Sequence, residues 1–412
     1  MNQTLEREQL LRFYQQALDS VQGRTAVKQY LQQHPLEPEM AGALAVLAIG
    51  KAADSMFEGA LDVLAPGLDR ALLITRAGHL GRRHSQEQVE YVIGAHPLPD
   101  ERSLHAGDRL LAWLAQLPAA MPLLVLLSGG SSALVEKLPA AVSLADLQML
   151  NQWLLSTGLP IERMNRIRCS VSLLKGGRLL GFIGQRAVTQ LLISDVPGDD
   201  PAVIGSGLCV PPQDDPPGDE ALPDWLRAMQ TRAALPAMPA QVQLPHTEIV
   251  ANNQQACERI RQSAVEEGYD SHIVSTTFTG DVNNSADEIM RYLQQAGSGC
   301  YIWGGETTVQ LPAHPGRGGR NQQLALLLAQ RIQTYPALTL LCAGTDGSDG
   351  PTEDAGALVD AGTIWRGRYA GMDEVVALNG ADAGSFLAAS GDLINTGPTG
   401  TNVMDLVIAL KT

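Results

Sequence analysis

The stretch Leu123-Leu124-Val125-Leu126-Leu127-Ser128-Gly129-Gly130-Ser131-Ser132 decides the fold, because it joins an apolar run directly to a glycine turn. Five apolar residues in a row are typical of a strand that is buried on both faces of a parallel sheet. A glycine turn with small hydroxyl residues after such a strand exposes backbone N–H groups and hydroxyls, which can bind a phosphate. The alternative is an ordinary tight turn after a core strand, since such turns are common in α/β proteins.

Two similar units, at 43–51 and 188–195, place a charged residue directly after an apolar strand. The first ends in Gly50-Lys51. Because α/β folds bind ligands at the carboxyl ends of their strands, we predict that Lys51 is functional. The second ends in Ser194-Asp195, and a carboxylate beyond a strand suits Mg²⁺ that is also held by phosphate oxygens. A surface lysine and a turn aspartate are the alternatives.

Positive charge is concentrated in residues 162–178, where five of 17 residues are Arg or Lys. In so acidic a chain this segment favours an anionic ligand, although a helix face that balances acidic neighbours also explains it. His96 follows a strand predicted at 91–95. It is a candidate for substrate contact or for a hydrogen bond within its own turn.

The C-terminal part also alternates apolar strands with polar loops. A strand over 300–303 leads into Gly304-Gly305-Glu306, and a strand over 338–343 leads into a loop with Asp346. Contact with a Mg²⁺-nucleotide and turn capping are the two interpretations of that loop. Arg320 follows a glycine-rich loop at a predicted helix start, a suitable place for an arginine that binds phosphate. Thr399 lies in a loop of donors and hydroxyls ahead of the last strand.

The length of 412 residues predicts two or three domains. Residues 211–245 contain eight prolines and only one short predicted helix, which is typical of a domain boundary. We therefore predict a first domain at 1–242 and a second domain at 243–412.

The net charge of −15 argues against binding to nucleic acid or to an anionic membrane surface. No apolar run reaches about 18 residues, so no transmembrane helix is expected. The N-terminus lacks the basic start and apolar middle of a signal peptide. The five cysteines are scattered without CxxC spacing, which predicts reduced thiols rather than disulfides or a zinc site. A cytoplasmic location follows as the expectation.

A series of segments resembles the glycerate 2-kinases of the MOFRL type. The segments are 49–53, 96–97, 128–134, 175–177, 193–196, 198–201, 304–309, 316–322, 343–347 and 396–403. They occur in the order of that family and span nearly the whole chain. No single segment is decisive, but the ordered series is very specific.

The resemblance implies an α/β protein with a Rossmann-like N-terminal domain, a smaller α/β C-terminal domain and an active-site cleft between them. It implies phosphorylation of D-glycerate to 2-phosphoglycerate with ATP and Mg²⁺. The family's catalytic lysine and arginine fall on Lys51 and Arg320, and Asp195 is our third catalytic candidate. We expect substrate or phosphate binding by Ser128, Gly129, Gly130, Ser131, Ser132, His96, Lys175, Glu306, Asn321 and Thr399, and metal binding by Asp195 and Asp346. A homodimer is expected for such a metabolic enzyme.

The chain departs from the family pattern in two places. Cys169-Ser170 stands where the family has Lys-His, and Leu208-Cys209 stands where it has Pro-Thr. A related hydroxy acid as substrate and a binding protein with little turnover are therefore alternatives. Family members are often named hydroxypyruvate reductases, but the chain has no Gly-x-Gly-x-x-Gly with a following acidic ribose ligand.

Overall fold

The computed structural model describes residues 2–36, 43–81, 88–211, 222–237 and 242–412. The chain divides into two compact units. We call Gly23–Ala251 the parallel unit. We call helix α1 (Asn2–Val21) together with Asn252–Thr412 the mixed unit.

A fully parallel sheet forms the centre of the parallel unit. Its strands are β1 (Leu44–Ile49), β2 (Leu68–Arg76), β3 (Val89–Gly94), β4 (Leu123–Leu127), β5 (Val188–Ile193) and β6 (His246–Ala251). They lie in the order β3-β2-β1-β4-β5-β6, and every neighbouring pair is parallel. This is the strand order of a Rossmann fold, so the Rossmann-like prediction is confirmed.

Helices connect these strands and bury them. They are α2 (Gly23–Gln33), α3 (Ala53–Leu64), α4 (Glu101–Gln116), α5 (Ser131–Leu134), α6 (Leu144–Thr157), α7 (Ile161–Cys169), α8 (Leu179–Ile183) and α9 (Asp224–Ala233), with 3-10 turns at Ala65–Gly67 and Ile204–Ser206. Every residue of β1 and β4 is buried, as expected for central strands of a parallel sheet. Leu47 of β1 and Val125 of β4 share one core cluster with Trp113 of α4.

The mixed unit has a sheet of a different kind. Its strands are β7 (Ser271–Asp281), β8 (Gly299–Thr308), β9 (Leu338–Gly344), β10 (Gly356–Asp360), β11 (Leu393–Ile394) and β12 (Asp405–Lys411), in the order β11-β10-β9-β12-β8-β7. Only β7 and β8 pair in parallel, and the other neighbours are antiparallel. The helices of this unit after α1 are α10 (Asn253–Glu266), α11 (Val282–Gln295), α12 (Arg320–Arg331), α13 (Thr363–Tyr369), α14 (Glu374–Asn379) and α15 (Ala383–Ser390). Helix α12 lies in the core, with nine of its 12 residues buried.

These two units differ from the predicted domains 1–242 and 243–412 in two respects. Strand β6 pairs with β5, so the parallel sheet extends to residue 251. Helix α1 packs on the mixed unit, where Arg7 donates hydrogen bonds to Asp360 at 2.6 Å and to Asp392 at 2.8 Å. Within the proline-rich 211–245, residues 212–221 and 238–241 lie outside the described residues.

Two further features of the described residues concern membrane-spanning helices and the cysteines. None of the helices among them is long and apolar enough to cross a bilayer. All five cysteines are free, and four of them are buried.

Candidate active site

The carboxyl ends of β1 and β4 form the switch point of the parallel sheet. The two strands are neighbours, with Ile49 paired to Leu127, and the strand order runs outward from them in both directions. Ligands of doubly wound folds bind in the crevice at this point. The Gly50-Lys51 turn follows β1 and the 128–130 turn follows β4, so two predicted motifs meet there.

Hydrogen bonds join these two turns. The N–H of Lys51 donates to the carbonyl of Gly129 at 2.9 Å, and the N–H of Ser128 donates to the carbonyl of Ile49 at 3.0 Å. The Ser128 hydroxyl accepts from the N–H of Ala52 at 3.0 Å and is fully buried. Ser128 therefore holds the two turns together. The sequence predicts that its hydroxyl contacts a ligand, whereas in the structure this hydroxyl is buried.

Gly130 brings three predicted site residues together. It has a φ of +84°, and a Cβ at this position would lie 3.1 Å from His96 Nε2 and 3.3 Å from Lys51 Cγ. A side chain here would be both strained and crowded. Glycine at position 130 thus lets His96 and Lys51 approach the same point.

A pocket of about 170 Å³ opens beside this point. Its lining includes four residues that the sequence predicted and two polar residues that it did not single out. The predicted ones are His96, Gly130, Ser132 and Lys175, and the others are Asn151 and Arg168. Pockets for drug-sized ligands are typically about 300–1,000 Å³, so this one suits a small molecule.

Lys175 reaches the pocket as one half of a buried ion pair. Its ammonium bonds to the carboxylate of Glu136, and both side chains are almost completely buried. The Ser172 hydroxyl donates to Glu136 Oε1 at 2.6 Å. Because Glu136 neutralises Lys175, this lysine adds little net charge to the pocket.

The remaining serines of the 128–132 motif lie close to the 204–206 turn. Ser132 Oγ lies 2.7 Å from Ser206 Oγ. Ser131 Oγ is buried without a hydrogen-bond partner among the described residues, and a Cβ at Gly205 would lie 2.3 Å from it. Asp195 lies two residues beyond the end of β5 and is half-buried.

A second, larger cavity of about 350 Å³ lies in the same unit. Its wall carries two positive and two negative side chains, which are Arg166, Arg178, Glu162 and Asp200. Cys169 and Ser170, the pair named above as a departure from the resemblance, also line it. The departure from the pattern therefore changes this larger cavity and not the lining of the small pocket.

In the mixed unit, Arg320 begins α12 and is held by two carboxylates. Its Nε and Nη2 donate to Asp405 at 2.6 and 3.0 Å, and its Nη1 lies 2.8 Å from Glu306. Burial lowers the pKa of Arg320, but the carboxylates of Asp405 and Glu306 outweigh burial and raise it overall. The side chain of Asp405 is buried and that of Glu306 is 42% exposed, so Asp405 is the fixed partner.

Asp349 binds the first turn of α12. Its Oδ1 accepts from the N–H of Asn321 at 3.1 Å and its Oδ2 from the N–H of Gln322 at 2.8 Å. Burial, with Asp405 nearby, raises the pKa of Asp349 to about 7, although these N–H bonds and Arg320 oppose the shift. Asn321 is itself buried against Asp349, so it supports the helix start that carries Arg320.

Asp346 and Thr399, the other predicted residues of the mixed unit, make hydrogen bonds within that unit. Asp346 accepts from the N–H and hydroxyl of Ser348 at 2.9 and 3.0 Å, which is the turn-capping alternative. Thr399 Oγ1 donates to the carbonyl of Thr345 at 2.6 Å. Tyr14 of α1 donates to the carbonyl of Gly344 at 2.6 Å, which fixes the strand end ahead of Asp346.

No group of three or more His, Cys, Asp or Glu side chains suited to a metal ion occurs among the described residues. Asp195 and Asp346 belong to different units, so neither unit contains both. Mg²⁺ in nucleotide sites is commonly held by one or two carboxylates with phosphate oxygens and water. A single half-buried carboxylate at the end of β5 is compatible with that mode of binding.

Sequence reasoning missed Asp405 and Arg168. Asp405 is a carboxylate directly before the apolar run 406–410 of the last strand, and that placement is a signal that could have identified it. Arg168 was only one of five basic residues in 162–178, and nothing in the sequence distinguishes it from the others.

The strand order, the joined turns at the switch point and the small polar pocket are those of the doubly wound α/β class, whose members bind ligands beyond the carboxyl ends of the central strands. Comparison with known proteins makes this class specific. The family model described as a domain of unknown function, DUF4147, matches residues 9–243, and the MOFRL family model matches residues 299–405.

Relatives support the same assignment over most of the chain. The D-glycerate 2-kinase of Thermotoga maritima is 34% identical, over 89% of this chain and 90% of its own length. A protein of Agrobacterium vitis, provisionally named as a hydroxypyruvate reductase, is 32% identical over 98% of this chain and 94% of its own. A crystal structure of glycerate kinase from Thermotoga maritima superimposes with a TM-score of 0.84 at 30% identity, covering 99% of this chain and all of that one. The chain therefore belongs to the DUF4147 and MOFRL family, which includes this D-glycerate 2-kinase.

Proposed function

We propose that the protein is an ATP-dependent kinase that phosphorylates the 2-hydroxyl of D-glycerate and releases 2-phosphoglycerate and ADP. The observation that carries this proposal is the meeting of Lys51, His96 and Gly130 beside a small pocket at the switch point of the sheet. The pocket has the size for a short hydroxy acid, and the family relationship supports the reaction.

The reaction requires the 2-hydroxyl of glycerate to attack the γ-phosphorus of ATP in line. Phosphoryl transfer depends mainly on positioning and on neutralising negative charge. Lys51 stands at the turn between β1 and α3, next to the pocket that would hold the acceptor. Its ammonium would stabilise the charge on the phosphoryl group during transfer.

Arg320 would stabilise the same phosphoryl group through its guanidinium. Asp405 and Glu306 hold the guanidinium in a fixed orientation, which favours planar recognition of phosphate oxygens. The variant Arg320→Lys keeps the charge and loses the fork, so we expect it to lower kcat strongly while the protein remains folded.

Mg²⁺, when bound with ATP, would offset the negative charge of the β- and γ-phosphates. Asp195 is the residue of this chain that we assign to Mg²⁺, because it stands at the carboxyl end of β5 on the sheet edge that includes the switch point. The alternative role of Asp195 is to orient the attacking hydroxyl. Asp346 is a weaker candidate for the metal, since it caps its own turn.

The proposal is tested by ADP release from ATP and Mg²⁺ in the presence of D-glycerate, L-glycerate and related hydroxy acids. Hydroxypyruvate with NADH or NADPH is included, since a relative carries the reductase name. ADP release that depends on D-glycerate is expected. Nicotinamide oxidation without ATP, or tight D-glycerate binding with no ADP release, would contradict the kinase.

We also propose a cytoplasmic homodimer. Light scattering of the purified protein at two concentrations tests the dimer, and a monomer at both concentrations would contradict it. Localisation of a tagged copy in the native host tests the compartment.

A further inference from the structure

The guanidinium of Arg168 lines the small pocket and has no carboxylate partner among the described residues. Its Nε donates to Asn151 Oδ1 at 3.2 Å, and its Nη1 donates to Asn165 Oδ1 at 3.1 Å. Both partners are neutral amides. A guanidinium has five N–H donors, so three remain without an acceptor in the described part of the chain.

Two other half-buried arginines have carboxylate partners, whereas Arg178 donates, within the described part of the chain, only to the backbone carbonyls of Cys169 and Lys175. Arg320 is bound by Asp405, and Arg366 is bound by Asp360 and Asp392. Burial lowers the pKa of Arg168, the neighbouring Cys169 thiol opposes the shift, and no carboxylate contributes. Arginine stays charged at neutral pH, and a charge removed from water is costly unless an anion meets it.

The rest of the pocket lining leaves this charge uncompensated. Lys175 is neutralised by Glu136, and none of the described lining residues is an aspartate or a glutamate. The volume of about 170 Å³ limits the ligand to a small molecule. A small monoanion therefore fits the pocket in both charge and size.

We propose that Arg168, held in place by Asn151 and Asn165, binds the carboxylate of the 2-hydroxy acid substrate. The proposal rests on the kinase function proposed above. Gly130 lines the same pocket and adjoins His96 and Lys51. A short acid anchored at Arg168 would therefore present its neighbouring hydroxyl towards Lys51, where transfer takes place.

The test compares Arg168→Met and Arg168→Lys with the wild-type protein by calorimetric titration of D-glycerate and, separately, of ATP. Loss of a hydrogen-bonded charge pair is expected to weaken D-glycerate binding about 10- to 100-fold in Arg168→Met. Arg168→Lys should recover part of this loss, and ATP binding should change less than about threefold. Arg227→Gln, which removes an exposed arginine of α9 in the same unit, is the matched control.

A second comparison separates recognition of the carboxylate from a structural effect. D-Glyceramide has the same carbon chain without the negative charge, and the wild-type protein should prefer D-glycerate by the same 10- to 100-fold in binding. That preference should disappear in Arg168→Met. An equal loss for acid and amide, or weaker ATP binding with unchanged D-glycerate binding, would overturn the proposal.

The titration needs no turnover, so the two proposals fail in different ways. D-Glycerate binding that depends on Arg168 without ADP release would refute the kinase and support the carboxylate site. ADP release with an unchanged KM for D-glycerate in Arg168→Met would support the kinase and refute the carboxylate site. Circular dichroism melts show whether each variant is folded. If Arg168→Met does not fold, the D-glycerate affinity of Arg168→Lys decides the test.

Discussion

At the scale of single residues, the orientation of Arg320 depends on a carboxylate that nothing in its own loop supplies. Asp405 lies 85 residues further along the chain and contacts two nitrogens of the guanidinium. Arg320 could be predicted from the sequence, because an arginine at a glycine-rich helix start has a local signature. The pairing with Asp405 could not, because it arises only when β12 takes its place beside β8.

Asp405→Asn tests this positioning role. The amide keeps the shape but can accept only one of the two N–H bonds and brings an N–H₂ group against the guanidinium. We expect kcat to fall about 10- to 100-fold while the far-ultraviolet circular dichroism is retained. Asp287→Asn removes an exposed carboxylate partner of Arg331 and should change kcat less than about twofold. An unchanged kcat in Asp405→Asn would exclude the positioning role.

Asp349 gives the mixed unit a pH dependence of stability. Because burial raises its pKa to about 7, the folded protein keeps this proton between about pH 4 and 7 while the unfolded chain loses it. The contribution of this group to stability therefore decreases as the pH rises through that window.

Asp349→Asn should remove this contribution. We compare the Tm of the variant with that of the wild-type protein by differential scanning calorimetry. The difference, variant minus wild type, should be several degrees more positive at pH 8 than at pH 5. A difference in Tm that is the same at both pH values would mean that Asp349 is ionised throughout the range.

At the scale of elements, the two turns after β1 and β4 act as one structure. Their shared hydrogen bonds and the absence of a side chain at Gly50 allow the strand ends to approach closely. The sequence predicted each turn separately, because apolar runs followed by glycine are local patterns. The sequence pattern led us to expect that the Ser128 hydroxyl contacts a ligand. The burial of this hydroxyl depends on the neighbouring strand, so it could not be predicted from the local sequence.

Gly50→Ala tests the close approach of the turns. The added Cβ would lie 2.1 Å from Ser128 Oγ and 2.6 Å from the Ser128 carbonyl oxygen, at a φ of +136°. We expect a loss of about 3 kcal/mol or more in the free energy of unfolding, together with reduced kcat. Gly158→Ala, with a φ of +65° and open space around it, should cost only about 1 kcal/mol. Equal losses in urea unfolding of the two variants would contradict the close contact.

At the scale of the whole molecule, the fold class was predictable and the assignment of segments to units was not. Alternating apolar strands and polar turns identify an α/β protein, since the pattern repeats along the chain. The place of α1 depends on Arg7, whose partners Asp360 and Asp392 lie in the last quarter of the sequence. No local pattern connects residues so far apart.

We propose catalytic roles in phosphoryl transfer for both Lys51 and Arg320. Residues that act as a unit in catalysis have non-additive effects. We expect Lys51→Ala and Arg320→Ala each to lower kcat about 10²- to 10³-fold, and the double variant to be little worse than either single variant. If single-turnover measurements show that the rate loss of the double variant equals the product of the two single losses, the two residues act independently.

The most direct test of the central claim is the position of the new phosphate, read by ³¹P NMR after reaction of D-glycerate with ATP and Mg²⁺. We expect 2-phosphoglycerate, formed in step with ADP and lost in Lys51→Ala. Phosphate on C3, or no phosphoglycerate from folded protein, would contradict that claim.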